Sequence, residues 1–513
     1  MKIYFMGHAS FLVQTEETNL LIDPWFSNTG AFLRSWYQFP KNHHMLEFVI
    51  SQFKLRTKNY IYVTHEHEDH FDVKTLKVLS DHCNNLLIPN YENKKLYDAA
   101  VNLGFVNVSC LGEEENNTIA DLKVNIFIQE TAINNDSAIL VENSNNCKFL
   151  NLNDCKIHDR IDYVLSKYGK IDVLTQQYSG ASMHPVTYDY NSNEYKKISL
   201  KKRKTKMQGV VNVVKTLEPK IFIPSAGPPV FLREDLFNLN FEDSSTFPMF
   251  WQFQEYFQKR ISNCEFVPLN VKGCIDLQNQ RIFNVMKKLT PDEVKSVLID
   301  YRNDFVEYSS QECKENIFLE LYKNLERKVS VLKTNNSLQI NEDDIHHIYF
   351  TSDHKKYIKV DMVNGTICFT DRIENDSFYC HTYKDFFIGK VLAKKCSWSS
   401  YFLSFMFKNK RTPNKYNTTI EAFLISDDEK DFKSSLGEII KLKENKEKIK
   451  LHDKESGTTY ECSRYCPHQG ADLKYALIKN GKVICPRHGW EFDLENEGQC
   501  HLNNFTLDSK IIN

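Results

Sequence analysis

Short apolar runs alternate with amphipathic stretches through the first 290 or so residues. Ile3 to Val13 and Leu20 to Ile22 read as paired strands, and Tyr60-Ile61-Tyr62-Val63 as a buried strand. Val73 to Leu79 reads as a helix and Leu86 to Pro89 as a strand. Leu122 to Ile128, Ser137 to Val141, Lys148 to Leu152, Val173 to Thr175 and Ile221 to Pro224 continue the sheet structure. Apolar runs this short, bounded by turn residues, suit strands covered on both faces. Farther on, Pro291 to Leu298 and Asn316 to Leu332 carry helical patterns. Tyr357 to Val363 and Thr366 to Thr370 suggest a hairpin closed tightly at Asn364-Gly365. Lys408 to Asn417 is polar, contains a proline and is the expected linker. After it the chain turns to short strands with turns. The pattern is that of an α+β multidomain protein, divided as residues 1–290, 291–430 and 431–513.

Composition narrows this picture. A chain of 513 residues suggests roughly two to four domains. A 41% hydrophobic and 26% charged content is that of a globular protein with a real core. A net charge of -2 argues against bulk nucleic-acid binding, which shows as a basic excess. No apolar run is long enough to cross a bilayer, and the opening Met1 to His8 reads as a first strand, not a signal peptide. Cytoplasm is therefore the expected location. The 14 cysteines then favour reduced thiols and metal ligands over disulfides.

The densest chemistry follows the strand at Tyr60 to Val63. His65, His67, Asp69 and His70 fall within six residues there. Two histidines spaced by one residue at a strand end can share an ion, and Asp69 with His70 can reach a second beside it. Imidazole suits zinc, copper, iron or nickel, so the ligand types alone do not name the metal. Asp154, at the end of the Lys148 to Leu152 run, offers the anionic oxygen that a one- or two-metal site needs as a bridge. Asp23 is a candidate for holding a ligand histidine from behind, and His8 for a hydrogen bond near the pocket. His184, in the loop Gln176 to Pro185, is a further candidate ligand. Seven Lys or Arg between Lys196 and Lys206 read first as a solvated helix face, with phosphate binding or docking of an acidic redox partner as alternatives.

Near the C-terminus, Cys466-Pro467-His468 and Cys485-Pro486-Arg487-His488 are separated by sixteen residues. Two loops that each give one thiolate and one imidazole supply two cysteines to one iron and two histidines to the other, the ligand set of a Rieske [2Fe-2S] cluster. Zinc on the same four residues is the rival. Gly470 and Gly489-Trp490-Glu491-Phe492-Asp493 resemble the Rieske ferredoxins and oxygenases. A one-electron cluster needs something to reduce, and the histidine cluster at 65 to 70 is the other metal site in view. Economy makes it non-haem iron, one or two ions, that receives the electrons and activates O2, although zinc remains possible there.

Residues 1 to about 280 resemble the metallo-β-lactamase superfamily through Gly7-His8-Ala9-Ser10, Leu21 to Trp25, His65 to His70 and Asn153-Asp154. More narrowly, Asp23-Pro24-Trp25, Arg34-Ser35-Trp36, Ile61 to His65, Asn151 to Cys155, Tyr178 to Ser182, Leu217 to Ile221 and Ser225-Ala226-Gly227 resemble the cytidine-monophosphate N-acetylneuraminate hydroxylases. The resemblance implies an αββα metallo-β-lactamase-like sandwich, a small α/β middle region and a C-terminal all-β Rieske domain. It implies a Rieske-type monooxygenase that hydroxylates an activated amino sugar or a related amide or amine metabolite. Its electrons would come from a ferredoxin, cytochrome b5 or a flavin reductase with NAD(P)H. Two departures stand out. The Rieske motif lies after the other domain instead of before it. The region that usually gives a third histidine reads Gln129 to Asp136 without one, with Ala132 at the expected place and Glu130 or His184 as substitutes. Arg34 and Lys201, Lys202 and Arg203 are candidates to meet a substrate phosphate. A metal-dependent hydrolase with a redox-sensing Rieske domain, an N-oxygenase and a plain electron carrier are the alternatives. Assembly into a homo-oligomer is left open.

Overall fold

The computed structural model describes residues 1–303, 316–333, 345–501 and 505–512. The chain forms two compact units. The first holds residues 1–130, 135–181 and 196 to the end of the described stretch at 303. The second holds 131–134, 182–195 and the described residues from 316 onward. The helix Pro291–Arg302, which the sequence pattern assigns to a middle region, therefore belongs to the first unit.

Two sheets make up the first unit. In the eight-stranded sheet, Lys2–Gly7, Ser10–Gln14, Thr18–Ile22, Lys58–Tyr62, Asn85–Pro89 and Asn107–Leu111 lie side by side, with Leu269–Asp276 and Arg281–Val285 beyond the first. The seven-stranded sheet is centred on Asn135–Asn143, Lys148–Asn153, Val173–Gln177 and Ile221–Ser225. Alternation along each strand sorts side chains between layers, as the two-residue pleat requires. Phe11, Val13, Leu20, Ile22 and Tyr62 join Ile139, Val141, Phe149, Val173 and Ile223 in one core between the sheets. Their neighbours Leu12, Leu21, Ile61 and Val63 face outward, onto Met45, Val49, Phe53, Leu76 and Leu79 of the helices Met45–Lys54 and Val73–Ser80. On the far side Leu140, Leu150, Leu174 and Phe222 meet the helices Ile161–Tyr168, Ser192–Leu217 and Phe250–Gln258. The layers run helix, sheet, sheet, helix. Each fully buried aliphatic side chain stabilises this stack by roughly 1.5–3 kcal/mol.

Ile3 to Val13, expected as continuous strand, is broken at Gly7–His8, where the register shifts between Phe5 and Gly7 and His8 takes a φ of 53°. That break sets His8 at a strand end. Thr18–Ile22, Lys58–Tyr62 and Asn85–Pro89 run parallel, as do Lys148–Asn153, Val173–Gln177 and Ile221–Ser225. Loops at the carboxyl ends of parallel strands are the usual place for a site in such sheets.

The second unit contains a five-stranded sheet of Thr366–Thr370, Tyr357–Asp361, His347–Thr351, Phe378–Tyr383 and Phe407–Thr412, in that order. The hairpin forms, but not with a two-residue turn. Asp361 pairs with Thr366, Gly365 has a φ of 58°, and the Asp361 carboxylate accepts from the amides of Val363 and Asn364, which stabilises the longer loop. The expected linker is also partly structured: Phe407–Thr412 pairs antiparallel with Phe378–Tyr383 along its whole length. Toward the C-terminus, Lys448–His452, Thr459–Ser463 and Lys510–Ile511 form one small sheet, and Leu477–Lys479, Lys482–Ile484, Glu491–Asp493 and Gln499–Cys500 another, around a core with Tyr460, Cys462, Leu473, Phe492 and Leu507. No helix among the described residues is long and apolar enough to cross a membrane.

Candidate functional site

In the first unit the loop after Lys58–Tyr62 is fastened before it presents any ligand. The Thr64 carbonyl accepts hydrogen bonds from the Tyr91 hydroxyl at 2.6 Å and the Ser137 hydroxyl at 3.0 Å. The Thr64 amide and hydroxyl both donate to Asp23, at 2.8 and 2.9 Å. A tight turn follows, in which the amides of His70 and Phe71 donate to the His67 carbonyl, so that Asp69 and His70 fold back toward His65. Nε2 of His65 stands 2.9 Å from Nδ1 of His67. Ligand atoms of His65, His70 and Asp154 lie within 4.8 Å of one another, and so do those of His8, Asp69 and His70. His70 is common to both groups.

Buried polar atoms show what the pocket suits. Nε2 of His70 and Oδ1 of Asp154 are both shielded from water and have no hydrogen-bond partner, yet they face each other across 3.8 Å. Buried polar atoms are rarely left unsatisfied in a protein interior. A cation between them would satisfy both. The other nitrogen of His70 is already committed, at 2.8 Å from Asp23, the carboxylate-backed histidine common in metal sites. Asp23 also accepts from the Asn153 side-chain amide at 2.7 Å, which ties the two sheets together behind the pocket.

The electrostatics agree with a cation site. Burial alone would lower His70, but Asp69 and Asp23 beside it raise its imidazole to about 10. Burial alone would raise Asp69, but His70 and His8 hold it down to about 2, the last through a 3.0 Å hydrogen bond. Burial, with the neighbouring imidazoles His70 and His67, keeps His65 neutral and able to offer a lone pair. The carboxylates hold positive charge at the His70 Nε2 position, where a proton and a metal ion compete. His8, Asp23 and Asn153 adopt φ values of 53°, 45° and 40°. Backbone in this region is costly for residues other than glycine, and such strain gathers at functional sites.

Asp136 has no assigned role in the sequence pattern, yet it is buried with Oδ1 3.4 Å from Nδ1 of His65. It stands on Asn135–Asn143 in the segment without the usual histidine. Its only signal in sequence is an acidic residue at a strand start. Glu130 is exposed and accepts from the Glu92 amide. His184 belongs to the second unit, with Nε2 2.8 Å from the Tyr190 hydroxyl, and is in neither group of converging ligand atoms among the described residues.

The basic run lies on the helix Ser192–Leu217. Lys196, Lys197, Lys201 and Lys204 are exposed. Lys206 turns inward and donates to the side-chain oxygen of Gln177, at the end of the strand parallel to the one carrying Asp154. Burial, with Lys156 adding to it, pushes Lys206 down to about 7, against the pull of Asp154 and Asp136.

In the second unit the two C-terminal loops share one geometry. The Cys466 amide donates to the Ala471 carbonyl and the Gly470 amide to the Cys466 carbonyl. Likewise, the Cys485 amide donates to Trp490 and the Gly489 amide to Cys485. Gly470 and Gly489 have φ values of 71° and 66°, which glycine adopts without strain. Each sulfur accepts from two backbone amides, those of His468 and Gln469 for Cys466 and of His488 and Arg487 for Cys485. Burial raises the Cys466 thiol, while its hydrogen bond to Cys485 lowers the latter. The His468 and His488 rings are 4.7 Å apart, Trp490 stacks on His468 at 3.9 Å, and Tyr416 meets the same ring edge-on at 4.8 Å. Two thiols and two imidazoles thus converge under an aromatic cover, which fits a [2Fe-2S] cluster.

Residues 2–156 match the beta-lactamase superfamily domain and residues 425–507 the Rieske [2Fe-2S] domain. A Rieske 2Fe-2S iron-sulfur protein of Mycolicibacterium smegmatis is 25% identical, with 98% of each chain covered. The cytidine monophosphate-N-acetylneuraminic acid hydroxylase of Danio rerio is 27% identical over 44% of this chain and 37% of its own. Among solved structures, CmlA, a diiron beta-hydroxylase from Streptomyces venezuelae, is similar over 54% of each chain at 15% identity and a TM-score of 0.37.

Proposed function

We propose that this chain, which joins a metallo-β-lactamase-like domain to a C-terminal Rieske domain, is an iron oxygenase that hydroxylates a small amide- or amine-bearing metabolite. An activated amino sugar is the leading class. The observation that carries the reading is the pair of orphaned atoms on His70 and Asp154, in a chain that also holds a Rieske ligand set. Iron is held by His65, His67, Asp69, His70 and Asp154, and the cluster by Cys466, His468, Cys485 and His488. When bound, the pocket iron supplies O2 activation, with electrons delivered one at a time through the cluster from an external donor such as a ferredoxin, cytochrome b5 or flavin reductase.

The chain's own groups do the rest. Asp23 fixes which His70 nitrogen faces the pocket, and Asp136 performs the same service for His65. His8 orients Asp69. Trp25 packs edge-on against His8, with ring centroids 4.9 Å apart, and Phe32 stands 6.0 Å from the His67 ring, so that part of the pocket wall is aromatic. The likeness to the Danio rerio hydroxylase supports the amino-sugar class. It spans 44% of this chain and 37% of the hydroxylase's own length.

The test is iron content and turnover of the full chain, purified anaerobically. Iron beyond that of the cluster, together with O2 uptake that needs both a reductant and an added nucleotide sugar, is the expected result. Stoichiometric zinc in the pocket and substrate turnover without O2 or reductant would overturn it in favour of a hydrolase.

A further inference from the structure

We propose that Glu68 is a positioning residue of the metal pocket: its carboxylate holds a left-handed turn against the ligand loop and so keeps the Phe32 ring edge-on to His67. The inference rests on the proposed function only in taking the pocket to hold a metal ion, and it stands for iron and zinc alike. Phe32, Leu33 and Arg34 have φ values of 51°, 54° and 61°, three left-handed residues in a row without a glycine among them. The Cβ of an L-residue crowds the following carbonyl oxygen in this region, so residues other than glycine visit it singly, not in runs. Such strain persists only where the surroundings over-determine it, and it gathers at functional sites.

Two sets of contacts close and back the turn. The Ala31 amide donates to the Trp36 carbonyl and the Ser35 amide to the Ala31 carbonyl, both at 2.9 Å. Trp36 meets Phe231 and Phe247 edge-on, with ring centroids 6.3 and 6.1 Å away. A further anchor comes from the ligand loop itself. The Phe32 amide donates at 2.6 Å to Oε2 of Glu68, which stands between His67 and Asp69. A hydrogen bond to a carboxylate is stronger than one between neutral groups. Glu68 also lies within the turn closed by the His70 and Phe71 amides on the His67 carbonyl, so this bond ties the two turns to each other. With the tie in place, the buried Phe32 ring stands 6.0 Å from the His67 ring at an angle of 81°. His67 must keep Nδ1 toward Nε2 of His65, 2.9 Å away, for both nitrogens to face one ion. A ring packed edge-on restricts rotation of the imidazole about its Cβ–Cγ bond. The strained turn thus serves to aim a ligand.

Cobalt(II) titrated into the full chain, after a chelator has cleared the pocket, reads both ligand geometry and affinity. The geometry shows as difference absorption bands over the cluster spectrum, and the affinity comes from competition with a chelator. In Glu68→Ala the bands are expected to shift and the affinity to fall roughly tenfold or more, the range for residues that hold a ligand from outside. Glu68→Gln, whose amide oxygen still accepts from the Phe32 amide, keeps the wild-type bands and most of the affinity. Phe32→Leu keeps the tie but loses the edge-on ring, so it shifts the bands as well, and it decides the matter if Glu68→Ala does not fold. Glu66→Gln, exposed in the same loop, changes neither reading. Wild-type bands and affinity in Glu68→Ala or in Phe32→Leu would overturn the proposal. So would a loss of denaturant stability in Glu68→Ala with the cobalt readings unmoved, since Glu68 would then only support the fold. No cobalt uptake by the wild type would sink the metal pocket of the proposed function and this inference with it, whereas uptake indifferent to Glu68 sinks this inference alone.

Discussion

The two ligand sets are held by different means. In the first unit, side-chain carboxyl groups do the holding: Asp23 behind His70, Asp136 beside His65, and Asp69 against His8. In the second, the backbone does it: two glycine-closed turns aim paired amides at each sulfur, and aromatic rings cover the histidines. A pocket shaped by carboxylates attracts small divalent ions, and its preference between iron and zinc rests on geometry and supply. Turns of fixed shape with amides on thiolates suit a preformed inorganic cluster whose charge is spread over sulfur. The lesson is that a carboxylate pocket can change its guest more readily than an amide cradle can.

The largest effects come from breaking each set in turn. His65→Ala is expected to empty the pocket and abolish O2-dependent turnover while the Rieske electron paramagnetic resonance signal of the reduced protein persists. Cys485→Ser is expected to remove that signal and the two cluster irons, with pocket iron retained. Metal analysis and spectroscopy on both variants check the pair, and a shared loss would mean that the two sets are not independent. A smaller effect tests the carboxylate shell. Asp23→Asn keeps the shape but not the charge behind His70, and should weaken pocket iron about 10- to 100-fold, as measured by competition with a chelator. The smallest tests the cradle. Gly470→Ala meets nothing closer than Leu442 at 3.6 Å, so its cost is the left-handed backbone alone. That is about 1–2 kcal/mol of stability, measured by denaturant unfolding with the cluster signal unchanged.

The same contrast explains what could be read in advance. Both Rieske loops are local: the ligands, the glycine four residues after each cysteine and the covering Trp490 stand within a few positions, so sequence displays them whole. The His65 to His70 cluster is equally local and equally visible. Its shell is only partly so: Asp23 and His8 stand out at their strand ends and do back His70 and Asp69, whereas Asp136 looks like an ordinary residue at a strand start and is brought to His65 only by pairings between strands far apart in the chain. Buried strands were visible as apolar runs. The break at Gly7–His8 was not, because the apolar pattern continues on both sides while the backbone turns. The inward turn of Lys206 to Gln177 is not visible in a basic run in which Lys196, Lys197, Lys201 and Lys204 are exposed.

The division of the chain also bears on how the molecule is made and inherited. Residues 131–134 and 182–195 belong to the second unit although sequence on both sides of each belongs to the first. The polypeptide therefore passes from one unit to the other at 130, 134, 181 and 195, and again after 303. A ribosome delivers 182–195 long before the C-terminal residues that complete their unit, so these residues wait, unfinished, through most of synthesis. A single proteolytic cut frees neither half. Gene fission at one junction cannot separate the whole second unit from the first without leaving those two segments behind.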